Sequence, residues 1–239
     1  MAPPAKRPRL HNTYPIARVV IGVLVAILLV PYLLTPLYLF LRPVSTLMLW
    51  RSVTGAHVAR VWVSLDRISP ELPRAVIVSE DARFCTHIGV DFQELREAID
   101  EADDITEARG GSTITQQLAK NLFLWPGRSF IRKALEFPLA LWINLLMSKH
   151  RQLEIYLNIV EWGPNGTFGA EAASKYAFNT QAKDLNLREA AILAATLPNP
   201  IQRDPRQPSP GLGRIAGIYQ VRSIASPDID TCIKRVGVL

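Results

Sequence analysis

Four short blocks of this chain combine residue types that can move a proton or hold an oxygen-rich ligand. The first is EDARFCTHIGVD, running from Glu80 to Asp91. If Glu80 to His87 is helical, then Glu80, Phe84, His87 and Asp91 fall near one line, although Gly89 points to a helix end before Asp91. A carboxylate beside a phenylalanine, with a histidine and a second acid close by, is what raising and orienting a general base requires. Composition alone favours a plainer reading, a capped amphipathic helix whose acids face water.

The second block is GGSTITQQLAKNLF, Gly110 to Phe123. Two glycines ahead of a helix let backbone approach a ligand, and Ser112, Gln116 and Lys120 recur every four residues. Hydrogen-bonding side chains that end in an ammonium suit a phosphate or a sugar; a solvated helix face fits as well. In the third block Arg128, Arg132 and Glu136 share a helical stripe, with Lys133 beside Arg132. Together with Lys120 these make four cations within 14 residues, enough to neutralise a pyrophosphate as a bond to it breaks. Ordinary i,i+4 ion pairs to Glu136 would explain the same stripe. The fourth block, LEIYLNIVEWGPNGTFGAEAA, reads mostly as architecture, with Asn158 and Glu161 the polar residues able to reach a site.

The elements that must position these blocks are overwhelmingly helical, and no strand run competes with them. Pro70 and Pro73 open a helix expected to end near Gly89. The polar stretch Asp100 to Gly111 reads as a surface loop. Thr113 and Gln116 have the spacing of a capping box, which starts a helix just after Gly110-Gly111. Apolar residues recur at helical spacing from Phe130 to Val160, with Pro138 as a candidate break between two helices. Shorter helices are expected at Ala170 to Phe178, Leu187 to Leu197 and Gly213 to Arg222.

Ahead of all this, Val19 to Leu41 is an uncharged run of 23 residues, long enough at ~1.5 Å per residue to cross a ~30 Å hydrocarbon layer. Pro31 and Pro36 are tolerated in a spanning helix. A cleaved signal peptide would have a shorter apolar region and a small-residue cleavage site, so a retained anchor is expected. Lys6, Arg7, Arg9 and Arg18 precede the run with no acidic residue, which places residues 1–18 in the cytoplasm and everything beyond 19–41 outside it. Residues 42–64 are juxtamembrane, with Trp50, Trp62, Arg51 and Arg60 suited to a headgroup zone. The remaining 65–239 suffice for one domain.

The net charge of +6 falls largely in the tail, leaving 23 basic against 21 acidic residues elsewhere. So balanced a domain is no nucleic-acid platform. Cys85 and Cys232 have no framework around them, and with Cys232 in a tail of loose composition an unbridged pair is expected.

Taken together, the four blocks resemble the peptidoglycan glycosyltransferase family, and more closely its monofunctional, membrane-anchored members. EDxxFxxHxGxD, GxSTITQQLxKNxF, RKxxE and LExYLN occur in the family's order over roughly residues 65–200, and LPNP at Leu197 to Pro200 also fits. The resemblance implies a mostly helical, lysozyme-like fold whose two lobes flank a cleft, the small lobe lying against the membrane. It implies Glu80 as catalytic base and Glu136 as the second acid, near a bound Mg²⁺ or Mn²⁺. By the same resemblance Lys120, Arg128, Arg132 and Lys133 handle phosphates, and Ser112, Gln116 and Gln117 line sugar sites. Asp81, Phe84, His87 and Asn158 take supporting positions.

The substrate so implied is lipid II with the growing glycan strand, at the bacterial inner membrane. The catalytic domain would be periplasmic, and cell-division or elongation proteins are the partners the resemblance allows. The residues remaining after Pro200 are too few for a transpeptidase domain, so strands would be made without cross-linking. Two departures concern packing: Ala177 replaces an aromatic residue, with Tyr176 one place earlier, and Gln152 replaces an aliphatic one. A lytic enzyme of the same fold would need an acid for its sugar leaving group but no cation cluster, and an anchored scaffold would need neither.

Overall fold

In the computed structural model, residues 14–100, 111–127, 129–164 and 166–234 are described. The apolar run folds as α1, Tyr14–Leu37, with Pro31 and Pro36 inside it and the Thr35 hydroxyl donating to the Pro31 carbonyl at 2.7 Å. Its segment Ile16–Leu37 is long and apolar enough to cross a membrane, with a mean hydropathy of 2.5. The helix starts and stops earlier than the expected Val19 to Leu41. Its end is set by the body of the protein, where the Arg151 guanidinium gathers the carbonyls of Tyr38 and Leu41 and Tyr38 stacks on Phe123. Trp142 adds an indole N–H to the Tyr32 carbonyl at 3.2 Å. The last turns of α1 are therefore docked on the body.

After α1 comes α2, Thr46–Val53, capped by Ser45. It buries Met48 and leaves Leu49, Trp50 and Val53 exposed. The helices α3 (Glu71–Glu80), α4 (Phe92–Asp100), α5 (Ile114–Phe123), α6 (Phe130–Leu146) and α7 (Lys149–Ile159) follow. A three-stranded sheet then interrupts the helical pattern. Its strands are β1 (Ala59–Arg60), β2 (Glu161–Gly163) and β3 (Thr167–Phe168). β3 lies in the middle, parallel to β1 and antiparallel to β2. Strands this short carry no readable alternation, which is why the sequence showed none. The chain closes with α8 (Ala170–Phe178), α9 (Leu187–Thr196) and α10 (Pro210–Ala225).

The core is built around α7, in which every residue from Gln152 to Ile159 is buried. Leu153, Ile155, Tyr156 and Leu157 share one buried cluster with Leu72, Val76 and Ile77 of α3, Ile114 and Leu118 of α5 and Leu193 of α9. Each such side chain contributes about 1.5–3 kcal/mol. The buried polar residues of α7 are satisfied locally. Gln152 accepts from Thr115 at 2.7 Å and donates to the Met147 carbonyl at 2.8 Å, so a polar residue in an aliphatic position is absorbed without an orphaned group. Asn158 holds both the N–H and the carbonyl of Val63.

Three local expectations are corrected. α3 stops at Glu80, not near Gly89, because Asp81 leaves the helix to make contacts of its own and Phe84 turns into the core. The break within Phe130 to Val160 falls at Met147-Ser148, where the Ser148 hydroxyl caps α7, while Pro138 stays inside α6. Cys85 and Cys232 are joined in a disulfide. The C-terminal segment is held by buried Ile233 and by Asp230, which pairs with Arg74 at 3.4 Å, and this ordering brings Cys232 to Cys85. Of the expected loop at 100–111, residues 101–110 lie outside the described residues, as does Arg128.

The bridge spans 147 residues of sequence, so it removes much freedom from the unfolded chain. Replacing both cysteines by serine should lower the unfolding free energy by about 2 kcal/mol or more, read from urea melts beside a thiol titration. Two titratable thiols in the unreduced native protein would contradict the bridge.

Candidate active site

Asp81 organises the first half of the site. Its carboxylate accepts the backbone N–H of Ile114, the first residue of α5, at 2.9 Å, and both oxygens lie within 3.0 Å of His87 Nε2. On the far side of the ring the Gly89 N–H donates to Nδ1 at 3.0 Å, so the proton shared with Asp81 sits on Nε2. Gly89 has a φ of +103°, and a Cβ there would come within 2.6 Å of the Ala140 carbonyl; only glycine fits this turn. Lys149 completes the group, its ammonium 3.5 Å from His87 Nδ1 and 4.6 Å from the Phe84 ring centre. Burial pulls the Lys149 ammonium down to about 8, against the opposing charge of Asp81.

Glu80, one residue earlier, faces α5, α7 and α10. Gln117 Nε2 donates to Glu80 Oε2 at 2.9 Å, and the Tyr156 hydroxyl lies 2.9 Å from Gln117 Oε1. Burial pushes the Glu80 carboxyl above its ordinary value; Gln117, Lys120 and Arg203 pull it back, Asp81 adds to the rise, and the balance is upward. Tyr219 of α10 is raised by burial and then by the charge of Glu80.

The cations form the second half. Glu136 is 3% exposed and makes a close ion pair with Arg132 and a second with Lys133 at 3.4 Å. Lys133 also donates to Ser112 Oγ at 2.6 Å, tying the start of α5 to α6. Burial, then Arg132 and Lys120, bring Lys133 down to about 8. Lys120 is held below its ordinary value by burial and by Arg132, while Glu80 works in the opposite direction. Lys120 thus feels both the lone carboxylate and the cation cluster.

Not every residue singled out by the motifs reaches this region. Gln116 is buried and spends its amide oxygen on the Thr113 N–H in the capping box. Asn158 braces Val63 and Glu161 pairs with Arg51 at 2.5 Å, whereas Phe84, fully buried, backs the site through His87 and Lys149. Asp91 caps α4 through the N–H groups of Gln93 and Glu94 and pairs with Arg83 at 2.6 Å. Conversely, spacing gave no warning of Lys149, Tyr156, Arg203 or Tyr219. Tyr156 was legible only as packing, and the others lie outside the four blocks or at their edges.

The transglycosylase family model matches residues 48–216. The chain belongs to the biosynthetic peptidoglycan transglycosylase family. It is 59% identical over 202 residues to a biosynthetic peptidoglycan transglycosylase of Nitrobacter winogradskyi, covering 84% of this chain and 89% of the relative. Identity to the Nitrobacter hamburgensis protein of the same name is 60% over 202 residues, with the same coverage. A Rhodopseudomonas palustris relative, again so named, is 56% identical over 224 residues, 94% of either chain.

In this transglycosylase the site pairs a carboxylate of raised affinity for protons with a partly desolvated group of cations. That arrangement can take a proton from a hydroxyl and neutralise an anionic leaving group. The residues do not fit a divalent cation held by side chains alone. Both oxygens of Glu136 face cations, and no group of three or more metal-ligand side chains occurs among the described residues. Glu136 instead balances the cluster. Glu136→Gln strands Arg132 and Lys133 without their counter-charge, and should lower the unfolding free energy by about 3 kcal/mol, measured by chemical denaturation. A variant as stable as the parent would show that the pair contributes nothing to the fold.

Proposed function

We propose that this enzyme polymerises lipid II into β-1,4-linked glycan strands on a two-lobed, lysozyme-like frame, with inversion at the anomeric carbon. Glu80 takes the proton from the 4-hydroxyl of the acceptor N-acetylglucosamine as that oxygen attacks C1 of the donor N-acetylmuramic acid. The bond from C1 to the pyrophosphate oxygen breaks, and undecaprenyl pyrophosphate departs with the electron pair. It needs no proton, only positive charge, which Lys120, Arg132 and Lys133 supply and to which the resemblance adds Arg128. Alcohols are weak nucleophiles near neutrality, so general-base help and positioning both count.

One observation carries this reading. Glu80 is buried within charge range of Lys120, and Lys120 is in turn coupled to Arg132 and Lys133. The Arg132 Nε is buried without a partner among the described residues, a donor still to be satisfied and suited to a phosphate oxygen. The span, preceded by basic residues, supports an N-terminus in the cytoplasm and a periplasmic site beside the membrane-borne substrate.

The raised Glu80 carboxyl also suits a general acid that would cleave glycan. Product analysis separates the two chemistries. Full-length enzyme given labelled lipid II should yield lengthening strands, with one undecaprenyl pyrophosphate released per unit added. Shortened fragments from preformed glycan, with no growth from lipid II, would replace this reading with the lytic one.

A further inference from the structure

The hydroxyl of Tyr156 has no role in the chemistry above, yet it is among the most deeply buried polar groups of the chain. Its side chain is fully enclosed in the core, and its hydroxyl meets Gln117 Oε1 at 2.9 Å. The opposite end of that amide, Nε2, lies 2.9 Å from Glu80 Oε2. A carboxylate can only accept, so the amide must turn its NH₂ to Glu80 and its oxygen to Tyr156, and the tyrosine must then be the donor. With the amide reversed, two acceptors would face each other at Glu80.

We propose that Tyr156 is a positioning residue for Glu80, fixing the orientation of the Gln117 amide so that one carboxylate oxygen is held and the other, Oε1, is left to receive the acceptor hydroxyl. No hydrogen bond reaches Oε1 among the described residues. The inference rests on Glu80 being the base. Its physical content is a chain of two hydrogen bonds running from the inside of α7 through α5 to the end of α3. Hydrogen bonding to the charged form of an acid favours that form. The tyrosine therefore acts on the base at one remove, by keeping its donor aligned.

The other charged or titratable groups that face Glu80 are Asp81 beside it, Lys120 of α5, Arg203 after α9 and Tyr219 of α10. All are untouched by Tyr156→Phe, which removes one oxygen and keeps the ring in the core. Without the hydroxyl, the half-buried Gln117 Oε1 loses the donor it has in Tyr156, and the amide gains nothing by holding its former direction. The Glu80 carboxyl should then rise further, and the base should be available only at higher pH.

The test is the pH dependence of strand formation from labelled lipid II by the full-length chain, between about pH 5.5 and 8.5. Tyr156→Phe should move the acid limb of kcat upward by about half to one unit, a loss of about threefold to tenfold near pH 6 that shrinks above pH 8, with KM nearly unchanged. Gln117→Leu should move the limb the same way, and adding Tyr156→Phe to it should change nothing more, since residues acting through one chain are not additive. If Tyr156→Phe does not fold, the limb of Gln117→Leu decides. A limb that stays in place, with activity either unchanged or reduced equally at all pH, would overturn the proposal. Glu80→Gln run alongside separates the two levels. If it is inactive while the Tyr156→Phe limb is unmoved, only the positioning role fails; if it is active, the assignment of the base fails first.

Discussion

The carboxylate of Asp81 joins two segments that are far apart in sequence, and the geometry of the site depends on that junction. It takes the first N–H of α5 and the Nε2 proton of His87, so α3 ends at Glu80 instead of running on. The free N–H groups at a helix start are natural partners for an acid, and a buried carboxylate costs free energy unless it is well bonded. Each requirement meets the other here. Because α5 starts at that point, Gln117 and Lys120 come round one and two turns later against Glu80. Lys149, Phe84 and Gly89 close the ring of contacts from behind.

Around this junction the protein keeps two kinds of charge in tension. Glu80 is placed where its ionised form is disfavoured by burial, and the nearby cations are placed where theirs is disfavoured too. A single buried acid, Glu136, offsets the cations. Compared with an apolar core this arrangement gains little stability, since buried ion pairs seldom repay their desolvation, although removing Glu136 alone is costly; it keeps charge ready for a substrate that brings its own. The docking of α1 on α6 through Trp142, and of the turn just after α1 on Arg151 of α7, gives the site a fixed relation to the segment able to span a membrane.

The elements differ in how far the sequence alone makes them legible, for physical reasons. The α5 start was legible because a capping box is local chemistry: Thr113 and Gln116 satisfy one another at a spacing that survives any tertiary context. The bounds of α8 agree with the expected ones, and α9 stops one residue short of the expected Leu197, shortly before Pro198. The end of α3 is hidden from the sequence because Asp81 and His87 look like continuing helix until their partners are known, and Ile114 is over thirty residues away. Gln116 and Lys120 share a stripe on paper, yet one is consumed by the cap and the other faces Glu80. The disulfide was missed because the packing that orders the C-terminus, Asp230 on Arg74 and Ile233 in the core, has no local signature. Tyr156 lies in the block that reads as architecture, but a hydroxyl's partner inside a core is a tertiary fact.

The central claim is that the buried carboxylate of Glu80 removes the acceptor proton. Glutamine keeps the shape and loses the basicity, so the decisive measurement is the rate of strand formation from labelled lipid II by full-length Glu80→Gln, beside a binding assay and a melting curve. The expected result is a folded protein that binds substrate as the parent does and polymerises about 10²- to 10⁴-fold more slowly. A folded variant working within about threefold of the parent rate would contradict the claim, because so small a change is under 1 kcal/mol of transition-state stabilisation.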